Sequence, residues 1–156
     1  MIVPVTTFTA SFLSLYYVLL SYRVIKKRVQ LRIALGDGTA EFLCEQLNSG
    51  DYKQGKVEPL KNEKYMSMLK AIRSHGNFND YVPLILVLMY LVESQDHSSK
   101  LFMRFISALI IFGRVVHVEL GVRGKMALGR GRVVGMISTL TSIILLSVTA
   151  MWHCLA

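Results

Sequence analysis

Residues 71–92 read AIRSHGNFNDYVPLILVLMYLV, a polar and charged half that passes without a break into an apolar half. The twelve residues Tyr81–Val92 carry no charge, and at helical rise they cover only about 18 Å. A bilayer core is about 30 Å thick, so a segment that spans it must take Arg73, His75, Asn77 and Asp80 to headgroup level or below. Ionisable groups at that depth are costly and mark functional sites. On a helix, Arg73, Asn77 and Asp80 share one stripe, while His75 and Asn79 point elsewhere. That stripe offers a guanidinium fork, an amide and a carboxylate in a row, suited to a zwitterionic ligand with carboxylates and an amine of its own. The plainer alternative is a short helix flanked by snorkelling side chains.

Working outward, the chain has 156 residues, enough for one domain, and is 53% hydrophobic yet carries a net charge of +8. The two properties are compatible because apolar and charged residues are segregated. Apolar blocks lie at about Pro4–Tyr22, Tyr81–Val92 with its polar prefix, Leu101–Val122 and Val133–Trp152, each near the length of a spanning helix. The expectation is an all-α integral membrane four-helix bundle, with spanning helices at about 4–25, 69–92, 101–122 and 132–152. The aromatics lie within the apolar blocks, which argues against nucleic-acid binding. Two cysteines, Cys44 and Cys154, and four histidines, His75, His97, His117 and His153, are scattered over different segments. They suggest neither a disulfide framework nor a zinc site, and no metal is expected.

The first block has no charge before Arg23 and so lacks the basic start of a cleavable signal peptide. Eleven Lys and Arg lie between Arg23 and Arg73, one in the link ending at Lys100, and four more at Arg123, Lys125, Arg130 and Arg132. By the positive-inside rule the first and third links are cytoplasmic and both termini face the other side. The stretch from about 37 to 64 reads as a cytoplasmic insertion. Asp37-Gly38 signals a turn before a short helix over Thr39–Leu47, Pro59 interrupts, and a helical pattern resumes near Asn62.

The third block has a charge-free run of only nine residues, Phe105–Gly113, so Arg114, His117 and Glu119 reach the membrane or its edge. Arg114, His117 and Gly121 form one stripe, for which ligand contact and helix packing stay open as readings; Glu119 faces away as an ion-pair partner. Before the fourth block, Arg132 stands at a helix N-terminus, against the helix dipole. A bound anion or lipid headgroups would offset that cost. The Ser and Thr of the fourth block can bond to its own carbonyls or across to neighbours, and Trp152 suits the far interface.

Three segments, YRVIKKRVQLRIALGDG, RSHGNFNDYVPL and GRVVH with the later RVVG, resemble the membrane-associated proteins in eicosanoid and glutathione metabolism, the MAPEG family. The R-x-H-x-N-x-x-[ED]-Y-x-P pattern is similar to that of small bacterial inner-membrane members. The resemblance implies a homotrimer with glutathione as co-substrate, bound between subunits on the cytoplasmic side. It implies that Arg73 and Asn77 hold glutathione carboxylates and Asp80 the γ-glutamyl amine. His75, Arg114 and His117 complete the pocket. Arg132 becomes the catalytic thiolate stabiliser, with Arg130 the competing candidate. The implied activity is a glutathione transferase or peroxidase acting on lipophilic electrophiles or lipid hydroperoxides in a bacterial inner membrane, or in an endoplasmic reticulum membrane if the source is eukaryotic. The alternative is a non-catalytic lipid-binding or scaffold protein of the same fold. Position 121 departs from several eukaryotic catalytic members, which have Tyr where this chain has Gly.

Overall fold

A computed structural model describes residues 3–49, 62–95, 98–124, 127 and 129–155. Residues 50–61 of the expected insertion, Pro59 among them, fall outside the described residues, as do His97 and Lys125. Among the described residues all regular structure is helical: α1 (Pro4–Leu31), α2 (Thr39–Ser49), α3 (Glu63–Glu93), α4 (Lys100–Val116), a π-helical turn (His117–Val122) and α5 (Gly131–Leu155).

Local chemistry sets the ends. Pro4 occupies the first turn of α1, where a missing N–H costs nothing. Arg32 closes the helix in the left-handed region at φ 55°, and the Ile33 amide returns to the Arg28 carbonyl at 3.0 Å. The side chain of Asn62 accepts from the Lys64 amide at 3.1 Å to start α3, and Ser99 accepts from Phe102 to start α4. Pro83 lies inside α3, deleting one helical hydrogen bond midway along the apolar half.

The N-terminus of α1 has no cap of its own. Glu93, the last residue of α3, supplies one: its two carboxylate oxygens accept from the Val5 and Thr6 amides at 2.8 and 2.6 Å. First-turn amides otherwise lack partners, and near a membrane interface that vacancy is expensive.

Among the described residues three helical stretches are long and apolar enough to cross a membrane: Pro4–Leu31, Lys100–Val122 and Gly131–Leu155. α3 is longer, at 31 residues, but its polar first half dilutes it below that standard. It nevertheless lies antiparallel along α1, with Glu93 at Val5, Phe78 stacked near Tyr16 and Tyr17, and His75 4.8 Å from Tyr17 between ring centres.

α1 packs on α3 and α4, and α5 packs on α3, α4 and the π turn. The shared core includes Leu13, Leu20, Phe78, Ile85, Met89, Met103, Ile106, Ile110 and Leu146. A buried hydroxyl pair, Thr9 with Ser107 at 2.6 Å, ties α1 to α4. α4 and α5 meet almost backbone to backbone: a Cβ on Gly135 would lie 2.3 Å from the His117 Cβ and 2.5 Å from the Gly113 carbonyl oxygen. This is the small-residue packing used where lipid removes the hydrophobic drive to associate.

α2 folds under the basic end on a satellite core of Ile33, Phe42, Tyr65 and Met68. Gly38 makes the turn at φ 89°, Asp37 caps the Thr39 amide at 3.0 Å, and Lys64 pairs with Glu45. Outward-facing Phe8, Leu15, Val18 and Ile25 on α1 and Val133, Ile137, Ile144 and Val148 on α5 leave broad apolar faces exposed. Such faces suit lipid or a neighbouring subunit.

Candidate functional site

A cleft of about 460 Å3 opens between the first half of α3 and the start of α5. Its lining includes Arg73, Asn77, Lys70 and Met66 from α3, Val122 from the π turn, and Arg132 from α5. The four-residue spacing of Arg73 and Asn77 sets both on one helical face, and the Asn77 side-chain amide donates to the Arg73 carbonyl at 3.1 Å. Arg73 and Arg132 are exposed, and among the described residues neither forms an ion pair. Among the described residues no carboxylate lines the cleft. It therefore presents two guanidiniums, an ammonium and an amide, a cationic, donor-rich set that fits an anionic ligand with more than one carboxylate.

The position of Arg132 is fixed by its backbone. His117 Nδ1 donates to the Arg132 carbonyl at 3.1 Å, which fixes the orientation of the ring against the first turn of α5. A Cβ on Gly121 would come within 2.5 Å of the Arg132 amide nitrogen, so the π turn and the first turn of α5 are in contact at that point. The Arg132 guanidinium reaches back to the Ala127 carbonyl at 3.4 Å. π-helical turns often occur at functional sites, and here the extra residue per turn brings His117 and Gly121 onto α5.

Arg114 takes a different place from the cleft residues. It is 1% exposed, donating to the Asn77 carbonyl at 3.1 Å and to the Thr139 hydroxyl at 2.6 Å, and it stands 5.4 Å from the centre of the Tyr81 ring. One buried cation thus joins α3, α4 and α5. His117 is equally buried, and its Nε2 and the Nε of Arg114 lack hydrogen-bond partners among the described residues. The shared stripe of Arg114 and His117 faces α5, behind the cleft.

Of the other residues singled out from sequence, Asp80 is exposed and outside the cleft lining, His75 turns to Tyr17 on α1, and Arg130 is exposed and absent from the lining. Lys70 was not singled out from sequence; only its spacing of three from Arg73 could have drawn attention to it. Glu119 is an ion-pair partner: it holds Arg23 at 2.5 Å, pairs with Arg123 and accepts from the Tyr16 hydroxyl at 3.0 Å. This knot clamps the π turn to α1 beside the cleft.

A family model matches residues 6–152, nearly the whole chain, and it describes the MAPEG family. The chain belongs to the MAPEG family. It is similar to the inner membrane protein YecN of Escherichia coli strain K12, 25% identical over 134 residues that cover 85% of this chain and 79% of YecN. YecN of E. coli O6:H1 strain CFT073 matches to the same extent. No solved structure matches. With its apolar helices, this MAPEG protein is an integral protein of a bacterial inner membrane.

Proposed function

We propose that this MAPEG protein is a glutathione-dependent transferase or peroxidase acting on lipophilic electrophiles or lipid hydroperoxides. In this reading it works as a homotrimer of four-helix bundles. The observation that carries the proposal is the convergence of Arg73, Asn77 and Arg132, with Lys70, in one cleft. Its volume falls within the usual range of about 300–1,000 Å3 for small-ligand sites.

Glutathione, when bound, supplies the thiol that adds to an electrophilic carbon or reduces a hydroperoxide. Arg73 and Asn77 receive its carboxylates, the guanidinium bidentately. Arg132 faces the sulfur. A thiol of pKa about 8.5 is only a few per cent ionised at pH 7, and a guanidinium beside it in a partly dry site lowers that value. Asp80 would reach the γ-glutamyl amine from outside this cleft, across a subunit boundary. Arg114 and His117 act behind the site by fixing Asn77 and Arg132. The exposed apolar rows of α1 and α5 provide contact for neighbouring subunits and a path for lipid-borne substrates. Both basic links, the first and the third, lie at the cleft end of the molecule, and by the positive-inside rule that end faces the cytoplasm with both termini outside.

Glutathione titration of detergent-purified protein, followed by the ultraviolet absorbance of the thiolate, tests the proposal. Saturable signal should vanish in Arg132→Ala and weaken in Arg73→Ala. Binding that leaves the thiol protonated would sink the catalytic reading. It would favour the second one, a non-catalytic lipid-binding or scaffold protein, to which the missing phenol at Gly121 and the sealed Arg114 and His117 lend support.

A further inference from the structure

At the end of the molecule opposite the basic links, Lys100 and Arg104 stand on α4 over a cleft of about 610 Å3. The rest of the lining is Pro4, Val5 and Phe8 of α1 and Ser107, Ala108 and Ile111 of α4. Both cations are exposed, and among the described residues neither pairs with a carboxylate. Glu93, at the same end, has both oxygens taken by the Val5 and Thr6 amides; Asp96 lies outside the described residues.

Three costs fall on this pair. Like charges four residues apart on a helix repel. Both sit in the first two turns of α4, where the helix dipole disfavours cations. They also interrupt the side of the protein otherwise kept free of Lys and Arg. A single anion between the two heads relieves the first two at once. Beyond the cations the lining is mostly apolar, with Phe8, Ala108 and Ile111 beside Ser107, so a small hydrophilic anion would leave that floor unused.

We infer that this cleft binds an anionic glycerophospholipid of the outer leaflet, its phosphate between Lys100 and Arg104 and one acyl chain along Phe8, Ala108 and Ile111. The site is separate from the glutathione cleft and does not depend on that reading. A phosphodiester has one charge to share between the two heads, and the seam lies between two helices long and apolar enough to span, where an acyl chain would lie.

Native mass spectrometry of detergent-purified full-length protein tests this with palmitoyl-oleoyl phosphatidylglycerol, the matching phosphatidylethanolamine and inorganic phosphate. Phosphatidylglycerol should be retained at least tenfold better than phosphatidylethanolamine, and Lys100→Gln with Arg104→Gln should remove one tightly held copy. Lys26→Gln with Lys27→Gln, at the other end, should keep that copy. Equal retention of the two lipids by the unaltered protein overturns the inference, even if the double variant cannot be purified. So does phosphatidylglycerol retention unaffected by the Lys100 and Arg104 changes. Inorganic phosphate that competes the lipid off at millimolar concentration would show an anion site without the acyl-chain seat, and would overturn it as well.

Discussion

A buried guanidinium with no carboxylate beside it among the described residues sets the terms at the residue scale. Arg114 spends its donors on the Asn77 carbonyl and the Thr139 hydroxyl, so its charge is held by dipoles and by the Tyr81 face. Thr139→Val keeps the shape and deletes one acceptor. It should cost about 1–3 kcal/mol, read as a lower thermal midpoint in detergent, with α3 and α5 loosening together. Gly121 makes the opposite point. Restoring a phenol by Gly121→Tyr meets the Arg132 backbone, and overpacking of that kind should cost about 3 kcal/mol or more. The variant is expected to unfold at lower temperature without gaining thiol-transfer activity. The stripe of Arg114, His117 and Gly121 could be read from helical period alone. Whether it faced ligand or helix could not, because the answer depends on Gly135 and Thr139, which are remote in sequence and silent about partners.

At the scale of elements, α1 is completed by α3. Glu93→Ala should strip the first turn of α1 of its acceptors and cost about 1–2 kcal/mol, seen as faster hydrogen exchange at Val5 and Thr6 with the middle of α1 unaffected. α2 answers to pH. The Thr39 hydroxyl and amide hold Asp37 below its usual value, and Lys64 does the same for Glu45. A depressed folded pKa means that both contributions are complete above the ordinary carboxylate range near pH 4 and disappear as pH falls through the lower folded values. Protection factors in α2 should therefore hold from neutral pH to about 5 and decline below about 4, while those of α5 stay constant. The Asp37-Gly38 signal located the start of α2, and the four apolar blocks located the long helices. The π turn left no mark in the pattern: HVELGV suits an ordinary helix as well, and it is the contact with α5 that accommodates the wider turn.

For the whole molecule the open question is how many times the chain crosses. Length and composition qualify three stretches among the described residues, whereas α3 runs antiparallel along α1, which predicts a fourth crossing. The two free, exposed cysteines report on this directly. Cys44 sits on α2 at the basic end and Cys154 near the end of α5. Four crossings put them on opposite faces, so an impermeant maleimide applied from the periplasm should label Cys154 and spare Cys44 until the cells are lysed. Three crossings would put them on the same face, and both would label or stay protected together. Charge distribution gives an expectation of sidedness from sequence, which this labelling tests. The cleft at the basic end was legible only in part, because Arg73 and Asn77 announce themselves by spacing, while Arg132 joins them only through the fold.

The carboxylate that finishes α1 also has a consequence for biosynthesis. Val5 and Glu93 are 88 residues apart, so at about 5–20 residues per second the ribosome adds the second roughly 4–18 seconds after the first. Throughout that interval the leading amides of α1 must be satisfied by interfacial water or by the insertion machinery. The nascent anchor would remain shallow and adjustable until α3 arrives to settle its depth.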